Sequence, residues 1–128
     1  ANLENFENLE LYLKLELLQP IGSFKIRGAW NAIRKIPREQ LRDGVWTVSA
    51  GNAAQGVALA ARKRGAPCSV MVMDTAPDTK LRAIERLGAT IARASHDRRK
   101  RFRCARNVRP TIAAPVITMA PASVLSDS

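Results

Sequence analysis

An α/β fold with a parallel sheet is what this chain predicts, on three observations. Short apolar runs at residues 45–48, 69–73 and 89–91 alternate with helical segments at about 53–64 and 79–87, and strands alternating with helices imply parallel pairing. Gly65-Ala66-Pro67 and Gly88 punctuate the joins, as helix C-terminal and breaker signals do. The composition is globular, 46% hydrophobic and 25% charged; 128 residues is the length of one ordinary domain and short for a two-domain enzyme. The reading is a βαβαβ unit preceded by a strand–turn–helix segment.

Each element follows from its residues. Between 11 and 16, leucines alternate with Tyr12, Lys14 and Glu16, the period-two pattern of a half-buried strand. A turn follows at Gln19-Pro20-Ile21-Gly22. Ser23 is placed to cap the next helix, in which Ile26, Ala29, Trp30 and Ile33 recur at core-facing spacing and which Pro37 would end. Val45-Trp46-Thr47-Val48 opens the βαβαβ unit. Three segments result: 1–43, the amino-terminal strand and lysine-bearing helix; 44–92, the βαβαβ part; and 93–128, a basic tail.

Gly22-Ser23-Phe24-Lys25-Ile26-Arg27-Gly28-Ala29 sets Lys25 at the mouth of a helix. A lysine in a first helical turn is by itself commonly just solvated. The partial positive charge of a helix N-terminus, however, disfavours a second cation there and so favours the neutral amine, which attacks a carbonyl to form a Schiff base.

The run from Leu11 through Lys25 to Ala29 resembles the cofactor-lysine segment of the threonine/serine dehydratase and serine racemase family, fold-type II enzymes that use pyridoxal phosphate. Ser49-Ala50-Gly51-Asn52-Ala53-Ala54-Gln55-Gly56 resembles the family's S-x-G-N-x-x-Q-G loop. Met73, then Ala76-Pro77-Asp78-Thr79-Lys80 and Gly88-Ala89, resemble a third stretch. The resemblance runs from about Leu11 to Ile91 and implies a tryptophan synthase β-like fold, with residues 44–92 in its small domain.

The resemblance also implies roles. Lys25 would carry pyridoxal 5'-phosphate as a Schiff base and, once freed, act as base at the substrate α-carbon. Phe24 would pack against the cofactor ring, and Asn52 would hydrogen-bond the phenolic oxygen. Ser49, Ala50, Gly51 and Asn52 sit where a parallel strand gives way to a helix, so successive backbone N–H groups could converge on a substrate carboxylate, with Gln55 adding a side-chain donor. The implied reaction is α,β-elimination of water from threonine or serine, giving a 2-oxo acid and ammonia.

Two departures stand out. Ala53 occupies the position where many members have histidine, and Ala50 the position of the serine that serves racemases as base on the opposite face. Racemisation, which needs proton transfer on both faces, is therefore less favoured than elimination. Threonine synthase and the cysteine synthases typically follow their lysine with Asp where this chain has Ile26. No glycine run follows Gly88 to hold a cofactor phosphate, and Ala1 stands where methionine would begin a chain, so an inactive amino-terminal fragment is expected.

From Arg93 onward eight basic and two acidic residues carry +6 of the net charge of +10. The cluster is followed by Ala, Pro, Ser and Thr without periodicity, so the tail is expected to be irregular, disordered or frameshifted. The rival reading is a non-catalytic fragment whose tail binds anions or nucleic acid; Phe102 is the one aromatic in the basic cluster, which leaves base stacking little support. Cys68 and Cys104 make no disulfide framework and share no metal-ligand spacing with His96, so a reducing compartment, the cytoplasm, is expected. No apolar run reaches the roughly 20 residues of a membrane span. The expected partner is a small amino-acid substrate, with no metal, no membrane and no nucleic acid, in a homo-oligomer when the protein is complete.

Overall fold

The computed structural model describes residues 10, 12–94 and 117. A 3-10 turn, Glu16–Leu18, leads into α1 (Lys25–Ile33) and the short α2 (Arg38–Leu41), and then β1 (Val45–Val48), α3 (Asn52–Arg64), β2 (Cys68–Met73), α4 (Asp78–Arg86) and β3 (Thr90–Ala94) follow in turn. The sheet is parallel in the order β1-β2-β3, with Val45 opposite Cys68 and Val70 opposite Ile91. This is the expected βαβαβ unit. β3 includes Arg93 and Ala94, which the sequence had assigned to the tail.

The core lies between the sheet and α3. Val45, Thr47, Cys68, Val70 and Val72 point to one side of their strands and are buried, the period-two pattern of a half-covered sheet. α3 buries Ala54, Gly56, Val57, Ala58, Ala60 and Ala61, because it is sandwiched between the sheet and α1. Its end is set by Gly65 at φ 67°, whose N–H bonds the carbonyls of Ala61 and Arg62. α4 contributes Leu81 and Ile84, packs on α3 and β3, and has Asp78 in its first turn paired with Arg93 at 2.9 Å.

α1 buries Ile26, Ala29 and Ile33 against α3, while Trp30, the fourth residue of the expected stripe, is 39% exposed. The two helices run in the same direction. Lys25 lies beside Gly56 at the start, where a Cβ on the glycine would come within 3.2 Å of the Lys25 carbonyl carbon and oxygen. At the other end the Arg64 guanidinium donates to the Ile36 carbonyl at 3.0 Å. α1 stops at Ile33, and Pro37 caps α2 rather than ending α1.

One expectation needs correction. Residues 12–15 form no strand: Tyr12, Leu13 and Leu15 are exposed, and among the described residues the sheet consists of β1, β2 and β3. Alternating polarity supplies a face but not a partner for the backbone N–H and C=O groups, and without one the chain turns into the 3-10 segment. The tail expected from residue 93 onward lies, apart from Arg93, Ala94 and Ile117, outside the described residues. Ile117 within it is 7% exposed; its N–H donates to the Trp46 carbonyl at 2.9 Å and its carbonyl accepts the Thr47 hydroxyl at 2.7 Å. Ile117 therefore touches the core beside β1, where its carbonyl satisfies the buried Thr47 hydroxyl.

Burial pushes the Cys68 thiol up from its usual 9.0 to about 11. The unfolded chain would ionise there first, so stability is full below 9.0 and falls as pH rises toward 11. Urea unfolding on either side of that range should show the loss, and Cys68→Ala should remove its share of the slope. Ile33→Ala, which empties a fully buried position, should lower unfolding free energy by about 2–5 kcal/mol in the same assay.

Candidate active site

The parallel run of α1 and α3 brings two helix N-termini to the carboxyl end of β1. Asn52 is the first residue of α3 and Gly56 lies one turn on, about 6 Å along the axis and on the same face. Since Gly56 abuts Lys25, the Asn52 corner and the first turn of α1 are neighbours.

Lys25 is partly buried, and its amine rests 4.7 Å from the centroid of the Phe24 ring, whose face attracts a cation. Phe24 is 46% exposed, so it is not a core residue and one side of its ring is open. Ser23 is buried, and its hydroxyl accepts the Lys25 N–H at 3.3 Å. With Phe24 already in helical conformation, Ser23 performs the capping role expected of it, one residue before the assigned cap position. Arg27, two residues beyond the lysine in the same turn, donates to Glu16 at 2.7 Å and ties the leading segment to α1. Gln19 donates to the other Glu16 oxygen at 3.1 Å.

The loop after β1 divides its donors. Ser49 N–H continues the sheet ladder to the Met71 carbonyl at 3.2 Å, and Gly51 N–H turns back to the Ser49 hydroxyl at 3.2 Å. Two of the four amides expected to converge on a ligand are thus already engaged. The first bond of the α3 ladder runs from Gln55 N–H to the Gly51 carbonyl, leaving the N–H groups of Asn52, Ala53 and Ala54 ahead of it. A Cβ built on Gly51 meets nothing within 4 Å, so the loop borders open space. Asn52 is exposed; Ser49, Ala50, Gly51 and Gln55 are partly buried.

The site therefore offers a primary amine, an aromatic face, a side-chain amide and N–H groups at the positive end of two helices. An amine suits an aldehyde, a flat ring suits Phe24, and amide donors suit a phenolic oxygen or a carboxylate. These residues fit the aldehyde and ring end of pyridoxal phosphate. The sequence passed over Gly56 as part of a motif; the signal that marks it is a glycine inside a helix, where alanine is favoured by about 1 kcal/mol. Among the described residues no cluster of His, Cys, Asp or Glu could hold a metal, and no helix is long and apolar enough to cross a membrane.

Comparison with known proteins gives the same direction. Residues 1–119 match the family described as pyridoxal-phosphate dependent enzyme, beyond the Ile91 limit of the sequence resemblance. A biosynthetic chloroplastic threonine dehydratase of Solanum lycopersicum is 51% identical over 83 residues, 65% of this chain and 14% of that protein. Serine racemase of Dictyostelium discoideum is 48% identical over 84 residues, 66% of this chain and 26% of that protein. Among solved structures, maize serine racemase aligns with a TM-score of 0.70 at 36% identity, covering 82% of this chain and 32% of its own. The processed form of threonine deaminase isoform 2 from Solanum lycopersicum aligns with a TM-score of 0.64 at 40% identity, covering 66% and 24%. The chain thus spans between about a seventh and a third of the lengths of these relatives.

The Arg27 hydrogen bond holds the Glu16 carboxyl below its usual 4.5. Its contribution is present above 4.5 and is lost as pH falls through the lowered value. In acid titrations of stability, Glu16→Gln should flatten that limb, by a small amount because the pair is exposed to water.

Proposed function

Since this chain belongs to the pyridoxal-phosphate-dependent enzyme family, we propose that it carries the lysine-bearing part of the active site of an ammonia-lyase acting on a hydroxy amino acid. The observation that carries this reading is the parallel docking of α1 on α3, which brings Lys25 and the Ser49–Asn52 corner to one edge of the sheet. Lys25 is the residue to which the cofactor is joined. Phe24 offers its open ring face to the pyridine ring, and the Asn52 amide donates to the phenolic oxygen. The Ala50 and Asn52 N–H groups and the Gln55 side chain face the substrate carboxylate, with Ser49 and Gly51 shaping the corner through their own hydrogen bond.

Pyridoxal phosphate, when bound, supplies an electron sink for charge developing at the substrate α-carbon. Once a substrate amine has displaced it, the freed Lys25 amine would take the α-proton, and the β-hydroxyl would depart with a proton as water. Hydrolysis of the carbon–nitrogen bond returns that water and yields the 2-oxo acid and ammonia, so the net change is loss of ammonia. Ala50 provides no side-chain oxygen to move a proton on the opposite face, which favours elimination over racemisation. Threonine and serine are the proposed substrates, in line with relatives named threonine dehydratase, L-threonine ammonia-lyase and serine racemase. The buried thiol of Cys68 supports a reducing compartment such as the cytoplasm.

The test is borohydride trapping of the purified chain with pyridoxal phosphate, followed by peptide mapping. Label concentrated on Lys25, and lost from that peptide in Lys25→Ala, is the expected result. Label spread evenly over the lysines would overturn the reading.

A further inference from the structure

We propose that Ser23 and Gly56 are positioning residues that grip the Lys25 backbone from its two sides and so aim its amine toward the Asn52 corner. This rests on the reading of Lys25 as the cofactor lysine.

On the amide side, the Lys25 N–H donates to the Ser23 hydroxyl at 3.3 Å, and Ser23 is one of two buried polar residues among those described. On the carbonyl side, Gly56 brings the α3 backbone so near that an added Cβ would lie 3.2 Å from both the Lys25 carbonyl carbon and its oxygen. The same Cβ would lie 3.4 Å from the Ala29 side chain, one turn further along α1. The other small buried positions of α3, Ala54, Ala58, Ala60 and Ala61, are alanine, the residue a helix interior prefers. Glycine replaces it where the lysine turn makes its approach. Because the atoms met there are backbone, accommodation by a side-chain swing is unavailable and the first turn of α1 itself must move by a few tenths of an ångström. A flexible four-carbon stem amplifies a shift at its base, and reaction rates are steep functions of such misplacement.

Helix propensity and the close approach of α1 pull in opposite directions in Gly56→Ala. For the helix alone the substitution is favourable, because alanine restricts the unfolded chain and suits the helical interior. For the lysine it is unfavourable. The experiment uses the full 128-residue chain, with pyridoxal phosphate and borohydride, and reads the label on Lys25 relative to that on exposed Lys35 just beyond the same helix, alongside the urea midpoint. Gly56→Ala should lower the label ratio about tenfold while its midpoint does not fall in proportion. Ala60→Gly, one turn along α3, should lower the midpoint and keep the ratio. Ser23→Ala should lower the ratio, and Ser23→Thr, which keeps the hydroxyl, should restore it.

A wild-type ratio in both Gly56→Ala and Ser23→Ala would overturn the proposal, as would a ratio that tracks the midpoint through all four variants. Absence of preferential Lys25 labelling in the wild-type chain is a different failure: it removes the cofactor reading first, and the proposal with it.

Discussion

How closely α1 can lie on α3 governs everything at the carboxyl edge of the sheet. Ile26, Ala29 and Ile33 supply the apolar stripe, but the stripe alone does not set the separation at the lysine end. That separation is set by a missing side chain at Gly56 and a 3.2 Å approach to the Lys25 carbonyl, while Arg64 on the Ile36 carbonyl fixes the far end. With both ends tied, the helices must run parallel. Parallel helices put their N-termini together, and so a lysine and an asparagine separated by 27 positions in the sequence share one corner.

That corner has a consistent electrostatic character. Two helix N-termini add their partial positive charges on one side, and N–H groups ahead of the α3 ladder point outward. The carboxylate attached to this end, Glu16, is already matched by Arg27 at 2.7 Å and Lys14 at 3.6 Å. Among the described residues, an anionic group arriving from solvent therefore meets the N–H groups ahead of the α3 ladder, with Glu16 already paired. The Phe24 ring beneath the lysine amine, 4.7 Å away, gives it a resting place beside the corner.

The βαβαβ unit was legible because its signals are local. Short apolar runs marked β1 and β2, Gly65 marked the end of α3, and each crossover lay within a few dozen residues. The element misread at residues 12–15 had the right polarity and no partner among the described residues, and polarity is all that a one-dimensional pattern records. α2 went unseen because four residues are too few to show a helical period. At the site, the sequence named the loop residues, yet which loop amides are engaged depended on Met71 and on the rotation of the Ser49 hydroxyl. Neither is written in the loop's own residues. Ile117 escaped for a related reason: its partner is a threonine in β1, and nothing near it in sequence marks it as core.

The Thr47–Ile117 hydrogen bond joins residues 70 positions apart, and this has a consequence for the order of folding. Pairings within residues 45–94 close short loops, whereas this one closes a long loop whose entropy must be lost before the bond can form. The βαβαβ unit can therefore assemble first, leaving the Trp46 carbonyl and the Thr47 hydroxyl as an open dock. During synthesis from the amino terminus, the sheet and the lysine corner could take shape while Ile117 was still being made. Arrival of that residue then acts as a late latch on a strand already in place.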